Sequence, residues 1–355
     1  MRQLASVQRV ISVSPIPGAD SIEMARVLGW NVVVKRGEYT AGDLVVYCEV
    51  DSILPERAEF EFLRKSCYRA PIVANGVTVI PGGFRIKTIK LRGQISQGIC
   101  FPVSVLATDQ FSEGDDATRA LGVAKYDVDA IAEAQHAYPN ITVRNKTFPW
   151  FIPRTDETRI QSCPNLLLRH RGLRVTVTEK LDGSSFTAFA HEGQIGICSR
   201  NQQLDTDGDG MMEVWARNHG LIEKMETLRQ HVGHDFAVQG EFIGPKVQGN
   251  KYAQKEHSVM LFSSYNISTG TYMNHAVTDA YALALSLATV PVLYENLLLP
   301  ETVEKLVTLA TCRSTMNRSM QAEGIVVRGV AVTQDEKLGW VSFKVINPEF
   351  CLRYE

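Results

Sequence analysis

The chain has 355 residues, of which 45% are hydrophobic and 21% charged, with a formal net charge of -2. That length accommodates two domains with separate cores, and the near-zero charge excludes a globally basic surface, so any nucleic-acid contact must come from local basic strips. No run of about 18 apolar residues occurs and the start, MRQLASVQRV, lacks a basic-then-apolar leader, so a cytoplasmic address is expected. The seven cysteines (Cys48, Cys67, Cys100, Cys163, Cys198, Cys312 and Cys351) are scattered without a CxxC pair, which points to neither a disulfide framework nor a zinc ribbon.

Up to about residue 105 the chain reads as short strands between turns: VQRVISVSPIP, GWNVVVKRG, GDLVVYCEV and RIKTIKLRGQISQGICFP. This is the pattern of a small β-barrel, with Gly29, Gly37, Gly42 and Gly93 at the breaks. Within it, FRIKTIKLR carries Arg85, Lys87, Lys90 and Arg92 with no acid among them, which suggests a strand with a basic face; a merely solvated face explains it as well. An acidic stretch and a helical patch at AIAEAQHAY form a connector, and a domain boundary is placed near residue 145, giving domains 1–145 and 146–355.

Beyond FPWFIPRTDETRIQS the texture changes. RVTVTEK, TAFAHEGQIGICSR, DFAVQGEFIG, VMLFSSYNI, EGIVVRG and GWVSFKVIN are strand-like; MMEVWARNHGLIEKMETLRQH and ETVEKLVTLATC are helical by their apolar spacing. Strands outnumber helices without strict alternation, which argues an α+β class with antiparallel sheets.

Lys180 ends the strand VTVTEK and is followed by Asp182 and a glycine turn. A strand end is a rigid platform for a nucleophile, and a lysine amine attacks only when deprotonated, which requires desolvation or neighbouring cations. A Lys180–Asp182 surface ion pair is an equally simple reading of those few letters. Later strand ends supply what nucleotidyl transfer to a lysine needs. Arg200 is basic, Glu241 is an acceptor for a ribose hydroxyl, Tyr265 is a face for a purine, Glu323 is a carboxylate for a divalent cation, and Lys344 is a counter-charge for phosphate.

The ordered segments EKLDGSS, SRN, GEFIG, SSYNI, EGIVV and SFKVIN resemble the six motifs of the covalent nucleotidyltransferases, the ligases and RNA-capping enzymes. The resemblance implies Lys180 as the AMP acceptor, Glu241 as the ribose contact, Tyr265 as the adenine-stacking aromatic, Glu323 as the metal-linked carboxylate and Lys344 as the α-phosphate contact. It also implies Arg200 as a contact to phosphate or the RNA 3' end, with Glu179 beside the nucleotide and Asp182 and Glu241 sharing the metal with Glu323.

The chain runs only eleven residues past Lys344, which leaves no room for the trailing OB-fold of DNA ligases and capping enzymes. IPGADSIEMARVLGWNVVVKRGEYTAGDLVVY and KLRGQISQGICFP instead resemble the leading OB module of the Deinococcus-type RNA ligases. RTDETRIQ resembles that family's linker, with Arg159 as its functional arginine, and Gln248 in GPKVQGN matches a glutamine of later steps. The implied architecture is an OB-like β-barrel followed by an antiparallel-sheet, ATP-grasp-like nucleotidyltransferase domain. The implied activity is ATP-dependent sealing of RNA 5'-phosphate and 3'-hydroxyl ends with Mg2+ or Mn2+, as in repair of nicked duplexes. Arg85, Lys87, Lys90 and Arg92 would help grip RNA.

Two departures stand out. The last motif of related ligases reads Lys-x-Lys, but its second position here is Ile346, with Lys246 as a candidate substitute. The 21 residues from Glu323 to Lys344 suggest an extended hairpin through GVAVTQDEKLG. DTDGDG begins like an EF-hand loop, but its twelfth position is Ala216 and it reads as an acidic turn. There is no HxxxH and no GxxxxGK[ST]; His231 and His234 lack a third metal ligand. A non-catalytic RNA-binding protein, a DNA ligase and a GTP-using capping enzyme remain as alternatives.

Overall fold

The computed structural model describes residues 3–74, 76–107, 110–127 and 146–354. The helical patch expected at 130–138 and the boundary expected near 145 lie outside the described residues. The class is α+β, in two compact units: Met1–Ile141 with Ile160–Leu166 and Pro348–Glu355, and Thr142–Arg159 with Leu167–Asn347. Among the described residues no helix is long and apolar enough to cross a membrane.

The first unit is built on β1 (Ala5–Pro15), β2 (Ile22–Val27), β3 (Trp30–Lys35) and β4 (Leu44–Cys48), followed by β5 (Gly83–Arg85), β6 (Thr88–Leu91), β7 (Gln94–Gln97) and β8 (Ile99–Pro102). The main sheet has the order β8-β4-β1-β2-β3. β7 continues into β8 and turns back toward β3, where Ser96 Oγ accepts the Val33 N–H at 2.9 Å. The bend falls at Gly98 (φ +95°), where a Cβ would lie 2.4 Å from the Tyr47 ring and 2.7 Å from the Cys48 carbonyl oxygen, so only glycine fits. Alternating β-branched residues then fill the interior with Val10, Val32, Val45, Trp30 and Tyr47. Gly37, Gly42 and Gly93 have positive φ; at the β2–β3 turn Leu28, not Gly29, takes the left-handed conformation.

The expected basic strand does not form. FRIKTIKLR breaks at Ile86, whose N–H and C=O pair with Ser52 and Asp51, and the halves become β5 and β6. Arg85 is buried, 3.3 Å from Asp51 with its guanidinium 3.7 Å from the centre of the Tyr126 ring. Lys87 is half-buried, Lys90 lies 3.6 Å from Glu349, and Arg92 sits in the β6–β7 turn. The four cations therefore do not share one face.

The second unit holds two sheets. β9 (Thr158–Arg159), β10 (Arg174–Lys180), β11 (Ser184–His191), β12 (Gln194–Cys198) and β13 (Gln202–Leu204) come first, followed by α1 (Met211–Asn218) and α2 (Leu221–Val232). β14 (Phe236–Ile243), β15 (Ser258–Asn266), α3 (His275–Leu285), β16 (Val292–Leu298), α4 (Val303–Ala310), β17 (Gly324–Gly329) and β18 (Ser342–Ile346) follow. An eight-stranded sheet contains β13-β12-β11-β14-β15, and a five-stranded sheet has the order β9-β18-β17-β10-β16. The single helix expected over 211–231 is two helices, because Gly220 adopts φ +62° between them. α3, capped by the Asn274 side chain on the Val277 N–H, and the edge strand β16 were not anticipated, since their apolar residues lack a clean period.

Alternation decides which faces remain polar. Phe186, Ala188, Val238, Phe242 and Leu261 point to one side of the large sheet and pack on Leu221, Met225, Leu228, Tyr281 and Leu285 of the helices. Ser185, Thr187, Gln239, Glu241 and Ser263 therefore occupy the other side.

Candidate active site

On β10, Val175 and Val177 are wholly buried while Thr176, Thr178 and Lys180 face the opposite way. Cross-strand pairing extends that face through Gly324, Val326 and Arg328 of β17 to Ile346, Lys344 and Ser342 of β18. β9 adds Arg159 in parallel register with Lys344. This face and the polar face of the large sheet enclose a cavity lined by Thr176, Thr178, Phe262, Ser263, Arg328 and Trp340.

Lys180 Nζ lies 2.6 Å from Glu323 Oε2, and its side chain is 24% exposed. Burial alone would favour the neutral amine, but Glu323, Glu241 and Asp182 outweigh it and raise the Lys180 pKa above its ordinary value. The depressed pKa that a nucleophile needs is thus not the resting condition of this lysine. Burial pushes the Glu323 carboxyl up to about 7, with Asp182 adding to the rise and Lys180 and Lys344 opposing it. A salt bridge alone would lower the acid as it raises the base; here burial, with Asp182 added, outweighs that effect on the acid. At 2.6 Å the charge-assisted hydrogen bond keeps the proton on Lys180.

The LDG turn is held from two sides. Gly183 donates its N–H to Glu241 Oε1 at 2.9 Å, and Asp182 donates its N–H to the buried Tyr252 hydroxyl at 2.6 Å. Asp182 Oδ2 accepts Lys251 Nζ at 2.5 Å, so the simple Lys180–Asp182 ion pair gives way to a lysine 69 positions further on. Lys251 and Tyr252 carried no signal in the sequence. Gln248, from the same loop, gives its carbonyl to Lys251 Nζ at 2.9 Å, while Lys246 is exposed.

The segment 153–159 crosses both polar faces. Gln239 donates to the Pro153 carbonyl, Thr155 bonds Ser185, Asp156 takes Arg200 Nη2 at 2.6 Å, and Glu157 accepts Arg328 at 2.9 Å and Ser342 at 2.6 Å. The sequence marked this segment through its resemblance to the family's linker, but not these partners. Glu179, expected beside the nucleotide, turns its carboxylate to the opposite side of β10, where Thr315 donates N–H and O–H to it. Any nucleotide contact from Glu179 would have to be through its backbone.

Tyr265 shares its face with Gln239 and Glu241, packing near Ile152 and Phe189 with its ring 5.1 Å from Tyr272. Tyr272 stacks on Trp340 at 3.9 Å. Phe262, beside a bulge in β15, lines the cavity itself and was not singled out from sequence. The long segment between Glu323 and Lys344 does form a short hairpin, Gln334–Asp335 with Gly339–Trp340, which supplies Trp340.

Among the described residues no three His, Cys, Asp or Glu side chains close into a direct metal cage. Asp182, Glu241 and Glu323, the carboxylates expected to share a metal, all act on Lys180 as neighbouring negative charges. The DTDGDG turn is different. Arg217 bonds the Thr206 and Gly208 carbonyls, and Glu213 folds over Gly210, as an internally satisfied turn requires.

Comparison with known proteins agrees with this layout. An OB-fold domain model matches residues 4–103 and an RNA ligase model matches residues 173–346. The solved structure of Naegleria gruberi RNA ligase with PPi is 31% identical, with 99% of this chain and 98% of that chain covered and a TM-score of 0.82. A mutant of the same enzyme with ATP and Mn is 30% identical over 99% and 98%, at 0.83, and another with AMP and Mn is 30% identical over the same shares, at 0.82. No protein of curated function gives a significant match. With the order of its motifs, its β-barrel unit and its two-sheet catalytic unit all accounted for, the chain belongs to the RNA ligase family, in the arrangement that places an OB-fold module ahead of the nucleotidyltransferase domain.

Proposed function

We propose that the chain seals RNA 5'-phosphate and 3'-hydroxyl ends at the expense of ATP, with Lys180 as the covalent AMP carrier. The observation that carries this reading is Lys180 itself: a strand-end lysine 2.6 Å from Glu323, with the charges of Asp182 and Glu241 acting on it.

In the first step the Lys180 Nζ lone pair attacks the α-phosphorus, a P–N bond forms, the bond to the β-phosphate oxygen breaks, and pyrophosphate leaves. The 5'-phosphate oxygen of RNA then takes AMP from Nζ, forming a pyrophosphate linkage and freeing the lysine. Finally the 3'-hydroxyl attacks that 5'-phosphorus, loses its proton to solvent, and displaces AMP. Each step is in-line phosphoryl chemistry, in which positioned cations offset growing negative charge. Lys344 and Arg159 would face the phosphates, Glu241 the ribose and Tyr265 with Phe262 the purine, leaving Arg200 and Gln248 for the polynucleotide. Asp182, Glu241 and Glu323 would hold a Mg2+ or Mn2+, which would supply charge neutralisation; carboxylates so engaged would no longer favour the protonated form of Lys180.

The OB unit, residues 1–145 with its connector, would track the RNA backbone through exposed cations such as Lys90 and Arg92 rather than the buried Arg85. Nicks in RNA-containing duplexes in the cytoplasm are the natural substrate, which gives the enzyme a part in RNA repair.

Incubation with α-labelled ATP and divalent metal tests the reading. Label should be retained on the protein, disappear in Lys180→Ala, and be released by nicked RNA as sealing proceeds. Absence of label with any nucleotide supports a non-catalytic RNA-binding protein, and label from GTP alone points to a capping-type transferase. A preference for DNA on the 3'-hydroxyl side of the nick points to a DNA ligase.

A further inference from the structure

Lys251 is the cation of this site for which neither sequence nor comparison assigned a role. Its ammonium lies 2.5 Å from Asp182 Oδ2 and 2.9 Å from the Gln248 carbonyl, with the side chain only 21% exposed. The loop that carries it is costly to fold. Lys246 (φ +65°), Gln248 (+43°), Asn250 (+48°) and Ala253 (+53°) are all left-handed, a region that side chains other than glycine and asparagine enter only at a cost. The strain is held where it matters. Asn317 Nδ2 binds the Lys251 carbonyl at 2.8 Å, Asn250 and Gln254 bond each other twice, and Tyr252 takes the Asp182 N–H. Backbone and side chain of one loop thus fix an ammonium against the carboxylate that stands two residues after the nucleophile.

The opposite side of the site shows why a cation there has work to do. Ile346 and Lys180 are both in register with Gly324, so a side chain at 346 emerges in line with the nucleophile, and it is apolar and 5% exposed. Lys344 is then the sole cation that β18 directs to this face, while Asp182, Glu241 and Glu323 crowd the lysine with negative charge. A triphosphate entering beside those carboxylates needs positive charge beyond that of Lys180, Lys344 and the neighbouring Arg159.

We propose that Lys251 is a second phosphate-directed cation of the site, contacting a phosphate oxygen of the bound nucleoside triphosphate and replacing the charge that β18 lacks at Ile346. The proposal rests on adenylyl transfer at Lys180. In the nucleotide-free protein Asp182 holds the ammonium in place; when phosphate arrives, the ammonium bridges carboxylate and phosphate. Lys246 is exposed and is not assigned this part.

The test measures the ATP concentration for half-maximal labelling of Lys180, using the full chain and α-labelled ATP, with thermal unfolding followed on the same samples. Lys251→Met should raise that concentration about ten- to hundredfold, the equivalent of one charge-assisted hydrogen bond. Lys251→Arg should stay close to wild type, and Lys251→Met with Ile346→Lys should recover part of the loss. Lys251→Gln keeps a donor for Asp182 but no charge, so it should behave as Lys251→Met does; if Lys251→Met fails to fold, the glutamine variant carries the test. Half-saturation within twofold of wild type in Lys251→Met or Lys251→Gln overturns the proposal, as does a double variant no better than Lys251→Met. A wild-type chain that takes no label sinks the ligase reading itself, a different failure.

Discussion

Glu323→Gln separates the two tasks of the Glu323 carboxylate, holding the Lys180 proton and serving nucleotide chemistry. The substitution keeps the side-chain shape and removes the charge 2.6 Å from Lys180 Nζ. A hydrogen bond of that charged kind contributes about 1.5–3 kcal/mol, and about 1.4 kcal/mol is a factor of ten in the amine fraction. Burial then acts on Lys180 with less opposition, because Glu241 and Asp182 remain and Asp182 is already offset by Lys251. In protein free of nucleotide and metal, acetic anhydride labelling of Lys180 at fixed pH below its titration, read by peptide mass spectrometry, should rise about ten- to hundredfold. AMP transfer from ATP should fall at the same time, so the intrinsic nucleophilicity and the catalysed reaction move in opposite directions. The sign for stability follows. Lys180 is raised in the folded state, so its contribution is complete below the unfolded value of about 10.4 and is lost as pH climbs through the folded one. The wild type should therefore lose more stability than Glu323→Gln in that alkaline window. An unchanged acetylation profile in Glu323→Gln, or one moved to higher pH, refutes the argument that carboxylate charge holds this proton.

Other outcomes follow from the packing. Gly183→Ala places a Cβ 2.5 Å from the Phe242 carbonyl and 2.9 Å from Glu241 Cγ, so Lys180 labelling should fall at least tenfold while circular dichroism stays native-like. Gly98→Ala meets the Tyr47 ring at 2.4 Å in a positive-φ bend and should lower the stability of the first unit by about 2 kcal/mol or more in urea unfolding. Asp335 would be raised by burial alone, but His170, Arg169 and the N–H groups of Leu338 and Lys337 hold it well below the usual carboxylate range. Its stabilisation is present above the unfolded value of about 3.9 and lost as pH falls through the folded one, so Asp335→Asn should cost about 3 kcal/mol at pH 7 and flatten the acid limb of the stability curve.

The order of chemical groups along the chain was legible without a structure. A β-branched run ends in Lys180, Glu241 and Lys344 lie within later strands and Glu323 immediately precedes one, so strand periodicity alone places them on or beside recognisable elements. Family and activity class follow from that order. Partnerships were not legible, because they depend on side chains far apart in sequence. A Lys180–Asp182 ion pair was one reading of those letters, but the hydrogen-bonded partner of Asp182 is Lys251; Arg85 was read as part of a basic face and is buried against Asp51 and Tyr126. Alternation could say that Glu179 and Lys180 point opposite ways, but not that Thr315 waits on the other side. Local pattern fixes which groups a strand presents, since side-chain direction is a property of the backbone. The charge state of Lys180 and the cation that stands in for Ile346 are set by neighbours that only folding brings within a few ångströms.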